Sequence, residues 1–210
     1  MKKNSLFSTI GWVVLAGIAL MLLASGCKKD DSSPTTTPPV NKVSYGSGTV
    51  TAASTAGSLT FTGTGVYPFQ AGPSVLAVYD TSILSGMFFV YGYQQVSGSH
   101  YNVAALGWLT PGRVDTGTFT HPTIFVAAAY NADTTLQADS LVYQSVSGTI
   151  TVISVNGSNA WGTYSVMARK GSAQPIQFTG TFNVTYVVGT MPGRSDRSVY
   201  GRASWPPELR

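Results

Sequence analysis

One cysteine, two histidines and a handful of carboxylates are most of what this 210-residue chain offers for chemistry. Cys27 is the only thiol, and Leu23-Ala24-Ser25-Gly26 stands directly before it. Small residues at that place suit signal-peptide cleavage, although Ala24 stands where a leucine is more usual. Cleavage there frees the amine of Cys27, and its thiol can carry a diacylglyceryl group. Two acyl chains hold a protein stably on a bilayer, whereas one holds it only marginally. Upstream, Lys2 and Lys3 precede an apolar run from Ile10 to Ala24. Crossing a hydrocarbon core takes about 20 residues, and this run is shorter. The expectation is a cleaved signal peptide, residues 1–26, with Cys27 as the lipidation site.

The histidines are isolated. His100 follows Ser97-Gly98-Ser99 and His121 precedes Pro122. Neither has a second His, a Cys or a Glu at ligand spacing, so no metal site is expected. Residues 41–188 contain no glutamate and only Asp80, Asp115, Asp133 and Asp139. Each aspartate is followed by Thr or Ser, a setting in which the carboxylate usually caps its own turn. Glycoside hydrolysis needs two carboxylates across one bond, and Asp80 with Asp115 is the available pair. A hydrolytic triad would join His100 or His121 to Asp115 or Asp80 and a serine. No Gly-x-Ser-x-Gly elbow supports that triad. No phosphate loop or dinucleotide fingerprint calls for a cofactor. The balance leans away from an enzyme.

Aromatic side chains are plentiful. Most must pack, because rings dominate burial. The densest group with polar neighbours is Tyr91, Tyr93, Gln94 and Gln95, with Trp108 on a nearby strand. On one exposed face they would form a stacking platform for a sugar or an apolar ligand.

Charge narrows the partners. The formal net charge is +4, but residues 41–188 balance Lys42, Arg113, Arg169 and Lys170 against the four aspartates. A neutral body has no basic stripe to follow phosphates, so nucleic acid is not an expected partner. With Cys27 acylated, neither disulfides nor cysteine-based zinc sites can form.

The elements that must carry these residues are strands. From Ile176 to Val188 apolar residues share one parity and Gln177, Thr179, Thr181, Asn183 and Thr185 the other. That is a period of two, with one face buried and one wet. Further strands are expected at 44–52, 58–63, 75–79, 87–93, 101–109, 123–130, 140–143, 148–155 and 160–168. Asn156-Gly157 is the strongest hairpin signal among the turns between them. Met87–Tyr91 and Val103–Leu109 are apolar on both parities, as in strands covered on both sides. Recurrent Gly-Thr dyads at 48, 63, 117, 148, 162 and 180 are expected to bend strands where a sheet curls. The expected fold is all-β, an antiparallel β-sandwich, with a closed or partly open lipocalin-like barrel as the alternative. The expected organisation is signal peptide 1–26, lipidated Cys27 and Pro/Thr/Ser-rich tether 27–40, one domain 41–188, and a disordered basic tail 189–210.

Cys27-Lys28-Lys29-Asp30-Asp31 resembles the lysine-then-acidic signature of surface lipoproteins of Bacteroidota. The stretches Gly148–Val155, Trp161–Ser165 and Gly180–Val184 are similar to β-rich lipoproteins of the same group that have no known activity. The resemblance implies an outer-membrane, surface-exposed lipoprotein and a β fold. Three functions follow as expectations. The first is a non-catalytic module binding or scaffolding a glycan or envelope protein, held to the bilayer by Cys27. The second is a barrel carrying a small apolar ligand. The third is a hydrolase using His100 or His121 with Asp115.

Overall fold

A computed structural model describes residues 42–67, 72–82, 86–133 and 142–190. Residues 1–26, the Cys27 tether and the tail beyond Thr190 lie outside the described residues. So does Asp139.

The strands are β1 (Val43–Ser54), β2 (Gly57–Tyr67), β3 (Ser74–Asp80), β4 (Met87–Ser97), β5 (His100–Leu109), β6 (Gly117–Thr120), β7 (Ile124–Asp133), β8 (Tyr143–Asn156), β9 (Asn159–Arg169), β10 (Ile176–Thr185) and β11 (Val187–Val188). No helix occurs among the described residues. All strands join one sheet in the order β11-β3-β4-β5-β7-β8-β9-β10-β1-β2, with β6 on β8. Every pairing is antiparallel except β11 on β3, which makes the sheet mixed. The sandwich expectation is thereby corrected. Instead of two facing layers, one open sheet curls strongly into a half-barrel, and its own inner face supplies both sides of the core.

The long terminal strand expected over 176–188 divides for the same reason. After Thr185 the chain leaves its neighbours, and the Tyr186 amide donates to the Ser158 carbonyl (2.8 Å). Tyr186 sets its ring edge-on to Phe88, and Val187–Val188 then runs beside β3. The expected strand at 140–143 has only its last residue in a strand, as the start of β8, and 140–141 lie outside the described residues. Asn156-Gly157 does mark a hairpin. Asn156 pairs with Asn159, which leaves Gly157-Ser158 as the turn with Gly157 at φ 58°. A glycine in the first turn position suits the twist of a two-residue hairpin.

The inner face is filled. Val50, Phe61, Phe88, Leu106, Trp108, Ile150, Phe178 and Phe182 belong to one core cluster and are almost wholly buried. Burying each such side chain contributes about 1.5–3 kcal/mol. Rings cover the glycines of this face. Tyr164 lies over Gly180, and its hydroxyl reaches the Thr51 carbonyl (2.8 Å).

The two ends of the curl meet through glycine. A Cβ on Gly65 of β2 would stand 2.5 Å from Leu76 Cγ and 2.7 Å from the Val75 carbonyl oxygen. Nothing larger than hydrogen fits where β2 lies on β3. The Gly-Thr dyads accordingly divide into two uses. Glycines 48, 63, 117 and 148 sit at positive φ, as strand bends, whereas Gly162 and Gly180 make room for Phe182 and Tyr164.

Candidate functional site

The expected platform residues do not share an exposed face. Tyr91 and Tyr93 lie on the outer face of β4 with their rings stacked at 5.9 Å, yet both are buried. Burial pushes the Tyr91 phenol above its ordinary pKa, and Tyr93 and Tyr101 beside it add to the shift. Trp108 lies on the opposite, inner face, 4.5 Å from the Phe88 ring and 5.4 Å from Phe182. Its indole N–H is buried with no hydrogen-bond partner among the described residues. Gln94 is half-buried opposite Asn102, and the Gln95 amide donates to the Gly98 carbonyl inside the β4–β5 turn. The physical reason is position. Strands β4 and β5 sit between β3 and β7 and are apolar on both parities, so both their faces are buried.

The hydrolytic groups stay apart. His100 opens β5 while Asp115 lies in the loop beyond its far end, which puts about 30 Å of strand between them at ~3.3 Å per residue. Asp115 instead accepts a hydrogen bond from Arg113 Nε (2.8 Å). His121 sits in the turn from β6 to β7, with the length of β6 between it and Asp115. Asp80 is buried and caps its own turn, taking Ser82 N (2.9 Å) and Ser82 Oγ (2.6 Å), the expected aspartate behaviour.

One polar grouping was not visible in the sequence. His100 pairs across the ladder with Asp133, whose carboxylate accepts from Ser99 Oγ (2.8 Å). A triad places histidine between serine and aspartate as the base. Here the serine bonds the aspartate directly, so the set ties off the end of the β4–β5 hairpin. Among the described residues no group of three or more His, Cys, Asp or Glu could hold a metal.

The outer face of β2, β1, β10, β9, β8 and β6 is different in kind. β9 alternates strictly, β2 and β10 nearly so, and β1 and β8 alternate around bulges. Register lines up their wet positions. Thr60 faces Thr51, the Thr51 hydroxyl meets that of Thr181 (3.1 Å), and Thr181, Thr163, Thr151 and Thr118 follow strand by strand. One row away, Thr62, Thr49, Asn183, Trp161 and Ser154 face one another in the same manner. Neighbours in a row stand ~4.8 Å apart, and rows lie ~6.7 Å apart along the strands. Hydroxyl pairs lock the surface, as Thr49 with Thr62 (3.0 Å) and Thr118 with Thr151 (3.2 Å).

Trp161 breaks this pattern. Its side chain projects from the hydroxyl rows and is 44% exposed, beside Ile153 at the same exposure. Ile153 keeps the wet parity of Thr149 and Thr151, and the bulge between Val152 and Ser154 brings Ser154 opposite Trp161 as well. The two rows around Trp161 contain no charged residue among those named; Arg169 stands at the far end of β9. The signal was present in the sequence. Trp161 falls on the parity of Thr163 and Ser165, while Ala160, Gly162 and Tyr164 take the buried parity.

No family model, no curated protein and no solved structure matches this chain.

Proposed function

We propose that this chain is a non-catalytic envelope lipoprotein that presents a binding surface away from the membrane. The outer face of β2-β1-β10-β9-β8-β6 carries this reading, because it offers ordered hydroxyls and an indole left in water. Exposed threonine alone is ordinary strand chemistry. An exposed ring standing beside exposed Ile153 makes an apolar patch rimmed by polar residues, and such patches mark interaction sites. His100 lies far from Asp115, and beside His100 Ser99 bonds Asp133 directly, an arrangement that supports a role that makes no bonds. The filled inner face leaves the apolar-carrier reading without support. The leader and the lysine–aspartate stretch after Cys27 support an acylated anchor at the outer membrane with the domain facing outward.

Two measurements on the full chain expressed in a Gram-negative host test this. Mass spectrometry of membrane fractions should find a diacylglyceryl thioether on Cys27 and no residue before it; a bare thiol or a retained leader overturns the anchor. Ester and glycoside substrates should show no turnover. Turnover lost in His100→Ala or His121→Ala would replace the binding module with an enzyme.

A further inference from the structure

We propose that the surface around Trp161 binds an uncharged polysaccharide, with one sugar ring stacked on the indole and the chain crossing the strands along the threonine rows. This rests on the binding-module reading and names its ligand class.

The shape of the face selects the size of the ligand. The wet positions lie on the outside of the curl, and a convex surface cannot enclose a small molecule, whose sites are concave. It can hold a polymer by many shallow contacts.

The chemistry of the face selects the kind of polymer. Trp161 presents an apolar ring to water, which suits the C–H face of a pyranose. Its cross-strand neighbours Asn183 and Ser154 provide an amide and a hydroxyl beside the ring. Thr163, two residues along β9, stands in the adjoining row with Thr151 and Thr181. These groups both donate and accept, as sugar hydroxyls do. No lysine or arginine stands in those rows to hold a carboxylate or sulfate, which disfavours an acidic polysaccharide. A protein partner fits less well. Binding hot spots gather Tyr, Trp and Arg and are poor in Ser and Thr, whereas the two rows at Trp161 are mostly Thr and Ser.

The direction follows from the ladder. Hydroxyls recur ~4.8 Å apart across the strands but ~6.7 Å apart along them, so the denser line of partners runs across. The row of threonines from Thr60 to Thr118 crosses six strands, a span of ~24 Å.

The test is affinity electrophoresis of the full mature chain in gels holding a soluble neutral polymer (β-glucan, mannan or xylan) or acidic polygalacturonate. At least one neutral polymer should retard the chain and polygalacturonate should not. Trp161→Ala should weaken binding at least tenfold and Trp161→Phe should restore part of it, with the urea midpoint of both unchanged. Thr163→Val, which keeps the shape and removes the hydroxyl, should weaken it a few-fold. Failure of every neutral polymer to retard the chain, or wild-type binding by Trp161→Ala, overturns the inference. Retardation by polygalacturonate alone also overturns it, but leaves the binding-module reading standing; turnover of a polymer would overturn both.

Discussion

β9 and β5 are strands of nearly equal length in the same sheet, yet they treat water differently. β9 alternates through all its residues, with Ala160, Tyr164 and Val166 inward and Trp161, Thr163 and Ser165 outward. β5 buries Val103 to Trp108 without a break. The same contrast runs through their neighbours. β8, β10, β1 and β2 carry hydroxyls outward, whereas β3, β4 and β7 place Leu76, Tyr91, Tyr93, Ala127 and Ala129 outward in a second apolar cluster. Alanine recurs in that second cluster, at Ala105, Ala127, Ala129 and Ala132, beside the tyrosines. The join between the halves is thin. β7 meets β8 only at Ala127–Gln144 and Ala128–Tyr143, after which β6 takes over as partner of β8. One sheet thus has a core on its inner face, water on half of its outer face, and apolar burial on the other half.

The sharpest way to break this comparison is to put a charge on each outer face. Ala105→Asp would leave an unpaired carboxylate in the second apolar cluster, which costs about 3–5 kcal/mol. Thr163→Asp changes a wet position and should stay within about 0.5 kcal/mol of wild type. Urea unfolding of both variants measures the difference. Equal tolerance would mean that the outer face of β5 is as wet as that of β9.

A smaller effect tests how the curl holds its ends together. Gly65→Ala forces a methyl into Leu76 and the Val75 carbonyl and should cost about 1–3 kcal/mol. Gly72→Ala, where an added Cβ meets nothing within 4 Å, serves as the control and should be near neutral. A harmless Gly65→Ala would show that β2 stands off from β3 and that the half-barrel opens more widely.

These features differed in how far the sequence disclosed them, and the reason is physical. Alternation records which side of a strand is wet, so β9 and β10 were legible almost residue by residue, and the two-sided burial of β4 and β5 followed from their lost alternation. Whether strands form one layer or two depends on pairing between distant segments, and period two is the same in a sandwich and in a half-barrel. Tyr186 illustrates the limit. It keeps the parity of Phe182 and Val184, yet the chain turns there to cross to β3. Rings pose the same difficulty. Tyr91 and Tyr93 looked available because glutamines follow them, but those glutamines belong to the end of the hairpin. The useful sign was a single tryptophan among threonines.

Alkaline unfolding gives the smallest and most selective test, because each half contributes a phenol that burial keeps protonated well above its ordinary range. Tyr164 points inward from β9 and donates to the Thr51 carbonyl; Tyr91 lies on the outer face of β4. Burial raises both pKa values, with Tyr130 adding to Tyr164 and Tyr93 then Tyr101 adding to Tyr91. An unfolded tyrosine ionises near pH ~10. Above that pH the unfolded chain releases protons that the folded chain still holds, so stability is full below pH ~10 and falls as pH rises towards the folded values. The slope is at most about 1.4 kcal/mol per pH unit for each phenol. Tyr164→Phe should lose about 1 kcal/mol at pH 8 with its hydrogen bond, then decline less than wild type between pH ~10 and ~11. Tyr91→Phe should flatten the same window by a similar amount, which requires the outer face of β4 to be covered. If only Tyr164→Phe flattens the profile, water reaches Tyr91, and the outer faces of the two halves are alike.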